Sequence, residues 1–151
     1  MPIEDGTYLI HSCDENIRNF YPHPGYEGQA IGTLSGGSRE TPTEWRVQRN
    51  PTSNTYTITA KGTRGSWTYS KNNHEEHIVI FSSNPSGWSH HWKFIEIDTR
   101  TRDPIVAIAS AESPTGGNLY VDLDSAGRLS LEWIQGHSAH NRYPQWRLIK
   151  Q

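Results

Sequence analysis

"HHWKF", residues 90–94, sets a tryptophan between a polar residue and a cation and follows the pair with an apolar side chain. The arrangement returns in "TEWRV" (43–47) and "PQWRL" (144–148), so that Trp45 and Trp146 stand 47 and 54 residues from Trp92. Recurrence at a near-constant period of this length is the mark of an internally repeated architecture.

Working outward from each tryptophan, short alternating apolar runs are separated by clusters of Gly, Pro, Asn and Ser, which is the pattern of strands and turns; no window has a convincing helical period. The first set reads "TYLIH" (7–11), "IRNFY" (17–21), "QAIGTL" (29–34) and "WRVQR" (45–49). The second reads "TYTITA" (55–60), "WTYS" (67–70), "HIVIF" (77–81) and "WKFIEI" (92–97). The third reads "IVAIAS" (105–110), "LYVDLD" (119–124), "LSLEWI" (129–134) and "WRLIK" (146–150). Each set opens on an alternating run (Tyr8 and Ile10; Tyr56 and Ile58; Ile105 and Ala107 or the opposite parity) and closes on the tryptophan strand. Twelve strands in three sets of four describe an all-β chain, a β-trefoil with pseudo-threefold repeats over about 1–50, 51–99 and 100–151. In that fold Trp45, Trp92 and Trp146 belong to the core, and the cation after each points outward by the period of two.

A length of 151 residues suits one domain with one core. The apolar share of 32 % is low, but 6 Trp and 7 Tyr supply large buried side chains, and with a mean hydropathy of -0.79 the chain reads as a compact core with long polar loops. A net charge of -2 and a pI near 6.4, with no basic run, exclude nucleic acid and anionic membrane as expected partners. No stretch approaches the roughly 20 apolar residues of a membrane span. Cys13 is the one cysteine and "MPIEDGTY" lacks the features of a signal peptide, so a cytoplasmic protein is expected.

The residue types that serve catalysis do not assemble in the sequence. His74 and His77 are three apart, whereas a helical zinc site needs four. His90/His91 and His137/His140 lack carboxylate or thiol companions at metal-binding spacing. Asp122 and Asp124 alternate on one strand without the second acidic cluster that glycoside hydrolysis requires. No GxSxG motif occurs. A non-enzyme without metal or cofactor is expected, with function in the loops.

Two binding readings remain. Trp67, Trp88 and Trp133 lie outside the repeated positions; aromatic rings give sugars an apolar face to stack on, and the alternative is that Trp67 and Trp133 face inward and cover the barrel. In the third set Asp122, Trp133, His137, Asn141 and Gln145 follow in an order that resembles the Asp, aromatic, Asn, QxW arrangement of ricin-B-type sugar sites, which implies a glycan-binding lectin like small fungal trefoil lectins. The other reading is protease inhibition. "IEDGTYLI" (3–10), "PHPGYEG" (22–28), "WRVQRNPTSNTYTI" (45–58), "GSWTYS" (65–70) and "NRYPQW" (141–146) together resemble the mycocypins, fungal β-trefoil inhibitors of cysteine proteases.

That resemblance implies papain-like proteases as partners, blocked by two loops of the first repeat that wedge into the cleft. Here the loops are Pro22, His23, Pro24, Gly25, Tyr26, Glu27 and Gly28, with Tyr26 as anchor, and the 35–44 stretch with Gly36, Gly37, Ser38 and Arg39. In the strand count the first of these follows the second strand rather than the first. A third loop, "KGTRGS" (61–66), has no Asn for a legumain site; its Lys61 and Arg64 suit the acidic primary pocket of a trypsin-like serine protease instead.

Overall fold

In the computed structural model the described residues are 3–13, 19–37, 39–71, 77–83, 86–112, 119–134 and 143–151, and among them there are thirteen strands and no helix. They are β1 (Gly6–Ser12), β2 (Phe20–His23), β3 (Gly32–Ser35), β4 (Trp45–Asn50), β5 (Thr55–Ala60), β6 (Ser66–Ser70) and β7 (Ile80–Ser82). After them come β8 (Trp88–Ser89), β9 (Trp92–Asp98), β10 (Ile105–Ser110), β11 (Leu119–Leu123), β12 (Leu129–Trp133) and β13 (Trp146–Lys150).

Six of these strands close on themselves. β1 pairs with β4, β4 with β5, β5 with β9, β9 with β10, β10 with β13, and β13 again with β1, all antiparallel. Closure removes the unpaired edges that an open sheet would present. Outside the barrel strands, three hairpins, β2–β3, β6–β7 and β11–β12, supply one lobe of the cap each. Their meeting point is a closed triangle of main-chain hydrogen bonds: Ile31 N donates to Val79 O at 3.0 Å, Val79 N to Leu129 O at 3.2 Å, and Leu129 N to Ile31 O at 2.8 Å. Each residue donates to the next and accepts from the last, which marks a pseudo-threefold axis without reference to side-chain identity.

The strand count exceeds the twelve expected because β8, two residues long, pairs with the end of β6 at Tyr69↔Ser89 and Ser70↔Trp88. Its local sequence "GWSHHW" has no alternating apolar run to announce it. β2 also falls later than "IRNFY" suggests, taking in Pro22 and His23. Proline is tolerated because β2 pairs on one side only, with β3, so its missing N–H breaks no second ladder.

Trp45 and Trp92 are fully buried and Trp146 is 1 % exposed, as the repeat predicts, while Arg46 and Lys93 point outward. The indole N–H of Trp92 donates to Trp67 O at 2.9 Å, and that of Trp146 to Val121 O at 3.0 Å, the same step of 25 residues in both repeats. In the third set the opposite parity holds: Val106 and Ile108 join the main core. Ala107 and Ala109 are buried too, in a second cluster with Tyr120, against which Ile95, Ile134 and Tyr143 pack. Both faces of β10 are therefore covered.

Trp67 is the principal correction among the aromatic residues. Of the two places the sequence allows it, a sugar-stacking ring or an inward ring covering the barrel, it takes the second and has no exposed surface. Its ring centroid lies 5.8 Å from Trp45, 6.1 Å from Trp92 and 6.2 Å from Trp146, edge-on to all three. Cross-strand pairing shows why one hairpin alone supplies it. Pro22 faces Thr33, Trp67 faces Phe81 and Val121 faces Leu131 at equivalent places in the three hairpins, and on an axis there is room for one large ring.

Candidate functional site

The third hairpin sorts its residues by the pleat. Val121 and Leu131 face the core, and the alternate positions Tyr120, Asp122, Ser130 and Glu132 share the other face, with Tyr120 opposite Glu132 and Asp122 opposite Ser130. Asp122 and Glu132 are therefore diagonal neighbours, within reach of each other. Their carboxyls hydrogen-bond, and this contact, then burial, then the negative charge of Asp122, hold the Glu132 carboxyl above its usual range. One oxygen of Asp122 also accepts the Leu123 amide at 2.8 Å. Beside the pair, Tyr143 stacks on the buried Tyr120 with centroids 4.7 Å apart and planes at 29°. A half-buried ring, two carboxyls and a serine hydroxyl thus share one outward face, held by the small cluster on β10.

Asp124 does not join them. Its carboxylate caps the β11–β12 turn, accepting the Ala126 and Arg128 amides at 2.9 Å and pairing with Arg128 Nε at 2.9 Å. Trp133 is 40 % exposed, but its strand parity is that of Leu131, so Asp122 and Trp133 lie on opposite faces and do not form the pair that the linear order suggests. Trp88 sits half-buried in β8, at the second hairpin. His137 and Asn141 lie outside the described residues, as do Ser38, His74 and His140. Among the described residues no three His, Cys, Asp or Glu side chains are grouped to hold a metal. Glu132, Tyr120 and Tyr143 escaped the sequence reading. The signal for Glu132 was its phase with Asp122 across "LYVDL" and "LSLEW", which becomes visible only once the register is known.

The loop candidates divide. Pro22 is buried in β2, where the pleat turns it inward, and cannot meet a protease. His23 is half-buried, 3.2 Å from the Thr43 hydroxyl and 3.9 Å from the Glu40 carboxylate. The rest of that loop is presented and tied down. Gln29 N donates to Tyr26 O at 3.0 Å, the Gln29 side chain accepts the Tyr26 amide at 3.1 Å, and Gly28 N and Phe81 N bond to Phe81 O and Gln29 O across to the second hairpin at 2.7 and 2.8 Å. Glu27 accepts the Ser83 amide at 3.0 Å; the Ser82 hydroxyl, with Ser83, holds its carboxyl below the usual range. At the tip Tyr26 is 81 % exposed.

Pro24 is half-buried and Gly25 exposed. Gly36 and Gly37 turn at the opposite end of the β2–β3 hairpin, with Gly36 N on Asn19 O at 2.8 Å, so the two loops do not leave the hairpin from one side; Arg39 is exposed beyond them. The 61–66 loop is a tight turn, not an extended inhibitory segment. Thr63 Oγ1 donates to Ala60 O at 2.9 Å and accepts Gly65 N at 3.1 Å, while Lys61 pairs with Glu44 at 3.5 Å. Arg64 is exposed on that turn.

No protein-family model and no curated protein matches the chain. Solved structures do. A mosquitocidal holotoxin matches with a TM-score of 0.72 and 15 % identity over 99 % of this chain, which spans 18 % of the holotoxin chain. ThreeFoil, a designed 3-fold symmetric protein, matches with a TM-score of 0.65 and 14 % identity, over 97 % of this chain and 100 % of its own. The Rhizoctonia solani agglutinin matches with a TM-score of 0.62 and 15 % identity, over 100 % and 99 %. At such identities the likeness is one of fold: the chain is a β-trefoil.

Proposed function

We propose that this β-trefoil is a non-catalytic carbohydrate-binding protein whose saccharide site is the outward face of the third hairpin. The observation that carries the reading is the Asp122–Glu132 carboxyl pair beside the Tyr143–Tyr120 stack. Carboxylates accept hydrogen bonds from vicinal sugar hydroxyls, a half-buried ring offers an apolar face to the C–H side of the sugar, and Asp122 and Glu132, borne on strands, are pre-organised, which limits the entropy lost on binding. The similarity to an agglutinin supports the same reading. Hydrolysis is not supported. The two carboxyls touch, whereas a retaining glycosidase needs about 5–5.5 Å between them and an inverting one more.

The test is a glycan array followed by calorimetry on the wild type, Glu132→Gln and Tyr143→Ala. Wild-type binding that falls at least about tenfold in both variants, with thermal unfolding preserved in Glu132→Gln, is the expected result. An array with no bound glycan, or binding indifferent to both substitutions, removes the site.

A specific observation favours one second reading, inhibition of a papain-like protease by the 24–29 loop, in keeping with the mycocypin resemblance. Tyr26 stands exposed on a loop that five hydrogen bonds hold rigid, the form in which an aromatic anchor docks at least entropic cost. Papain activity measured with wild type and Tyr26→Ala decides it: no inhibition by the wild type ends this reading and leaves the saccharide site standing.

A further inference from the structure

The end of the barrel away from the hairpins holds a feature that neither reading uses. Inward positions along β4 run Trp45, Val47, Arg49, and along β9 they run Trp92, Phe94, Glu96, so the tryptophan layer gives way to an apolar layer and then to charge. There a groove of about 560 Å3 opens, lined by Ile3, Arg49, Ser53, Asn54, Tyr56, Lys93, Phe94, Ile95 and Glu96. Its floor is the stacked pair Tyr56 and Phe94, with ring centroids 4.4 Å apart and planes at 17°. Tyr56 is fixed in turn by its hydroxyl, which donates to Ile3 O at 3.1 Å.

Arg49 is held as a binding group is held. Its main-chain amide donates to Asp5 at 2.8 Å, and its Nε donates to the Asn54 side-chain oxygen at 3.0 Å. Asn54 has φ 55, the one positive φ at a non-glycine position among the described residues. It closes the β4–β5 turn, its amide on Asn50 O at 2.9 Å, and Asn is among the few residues that tolerate the left-handed region there. The outcome is a guanidinium whose plane is set through Nε.

We propose that this groove is a second ligand site, for a small monocarboxylate with an apolar body. Arg49 supplies the planar fork that a carboxylate matches with two parallel hydrogen bonds. Lys93, outward on β9, adds a second cation at the rim of the groove. With Glu96 and the Asp5 carboxylate at the Arg49 amide the local charge is close to zero, so a second negative charge on the ligand, as in a phosphate monoester, would meet no counter-cation. The apolar body lies on Tyr56, Phe94 and Ile3. The site is independent of the saccharide face, since the two share no residue.

Three probes of one shape separate the contributions: phenylacetate, its uncharged relative benzyl alcohol, and phenyl phosphate with its additional charge. In backbone amide shift titrations, phenylacetate should give saturable shifts centred on Arg49, Asn54, Tyr56 and Lys93, weakening as salt is added. Benzyl alcohol and phenyl phosphate should bind at least about tenfold more weakly. Arg49→Gln should abolish saturation and Asn54→Ala should weaken it several-fold, while Glu132→Gln leaves it unchanged. Lys93→Gln, at an exposed position, weakens binding without threatening the fold and serves if Arg49→Gln proves unstable. Absence of saturation, equal binding of benzyl alcohol, tighter binding of phenyl phosphate, or indifference to both cation substitutions would overturn the proposal.

Discussion

Replacing Trp67 by alanine removes the ring on the pseudo-threefold axis and tests the core directly. The side chain has no exposed surface and meets Trp45, Trp92 and Trp146 edge-on at 5.8–6.2 Å. Truncating a buried tryptophan to alanine costs about 3–5 kcal/mol. Each lost edge-to-face pair is worth roughly 0.5–1.5 kcal/mol beyond area, and three pairs place this site at the upper end, about 5 kcal/mol. The hydrogen bond from the Trp92 indole survives, because it ends on the main-chain oxygen of residue 67. In a domain of this size about 1 kcal/mol moves Tm by roughly 2–4 °C, so Trp67→Ala should lower it by on the order of 10–20 °C. Trp67→Phe, which keeps a ring, should lose less than half of that. Thermal unfolding followed by circular dichroism is the assay, with Trp133→Ala as comparator, expected within about 1 kcal/mol of wild type because that ring is partly solvated. A fall of under about 4 °C for Trp67→Ala, or a larger fall for Trp133→Ala, would refute the central placement of Trp67.

Gly65→Ala should destabilise by about 2 kcal/mol or more, read from urea unfolding, because a Cβ there runs into the Phe81 ring in the packed core. The raised pKa of Glu132 means that its protonated, hydrogen-bonded form contributes stability that is complete below the ordinary value of 4.5 and lost as pH rises through the folded value. Asp122→Asn should remove that loss, so mutant and wild type should differ more at pH 7 than at pH 4. Glu27 has the opposite sign, its folded pKa being lowered by Ser82 and Ser83. Its contribution is present above the ordinary 4.5 and disappears as pH falls through the folded value, and Glu27→Gln should flatten that acid limb and speed proteolytic cleavage of the 24–29 loop. Gly25→Glu should disturb that loop as well as any docking, since a Cβ meets the Gln29 amide oxygen at 2.8 Å; a mutant with unchanged amide shifts at Tyr26 and Gln29 would contradict this.

The sequence by itself determined the β-trefoil. Period-two alternation and three tryptophans at near-equal spacing are local signals, and the closed barrel needs nothing further to place Trp45, Trp92 and Trp146 inside it. Asp122 was legible too, as a polar residue in phase on a strand. The role of Trp67 was not, because its sequence neighbours look like those of any strand tryptophan. Its burial comes from meeting three residues 22, 25 and 79 positions away, on an axis that exists only when all three repeats are assembled. The tertiary structure alone also decided which residues accompany Asp122. Linear order joined it to Trp133, but cross-strand register put Trp133 on the other face and brought Glu132 and the Tyr120–Tyr143 stack to its side. Register turns on long-range pairing, and a side-chain period of two makes a shift of one residue enough to exchange one face for the other.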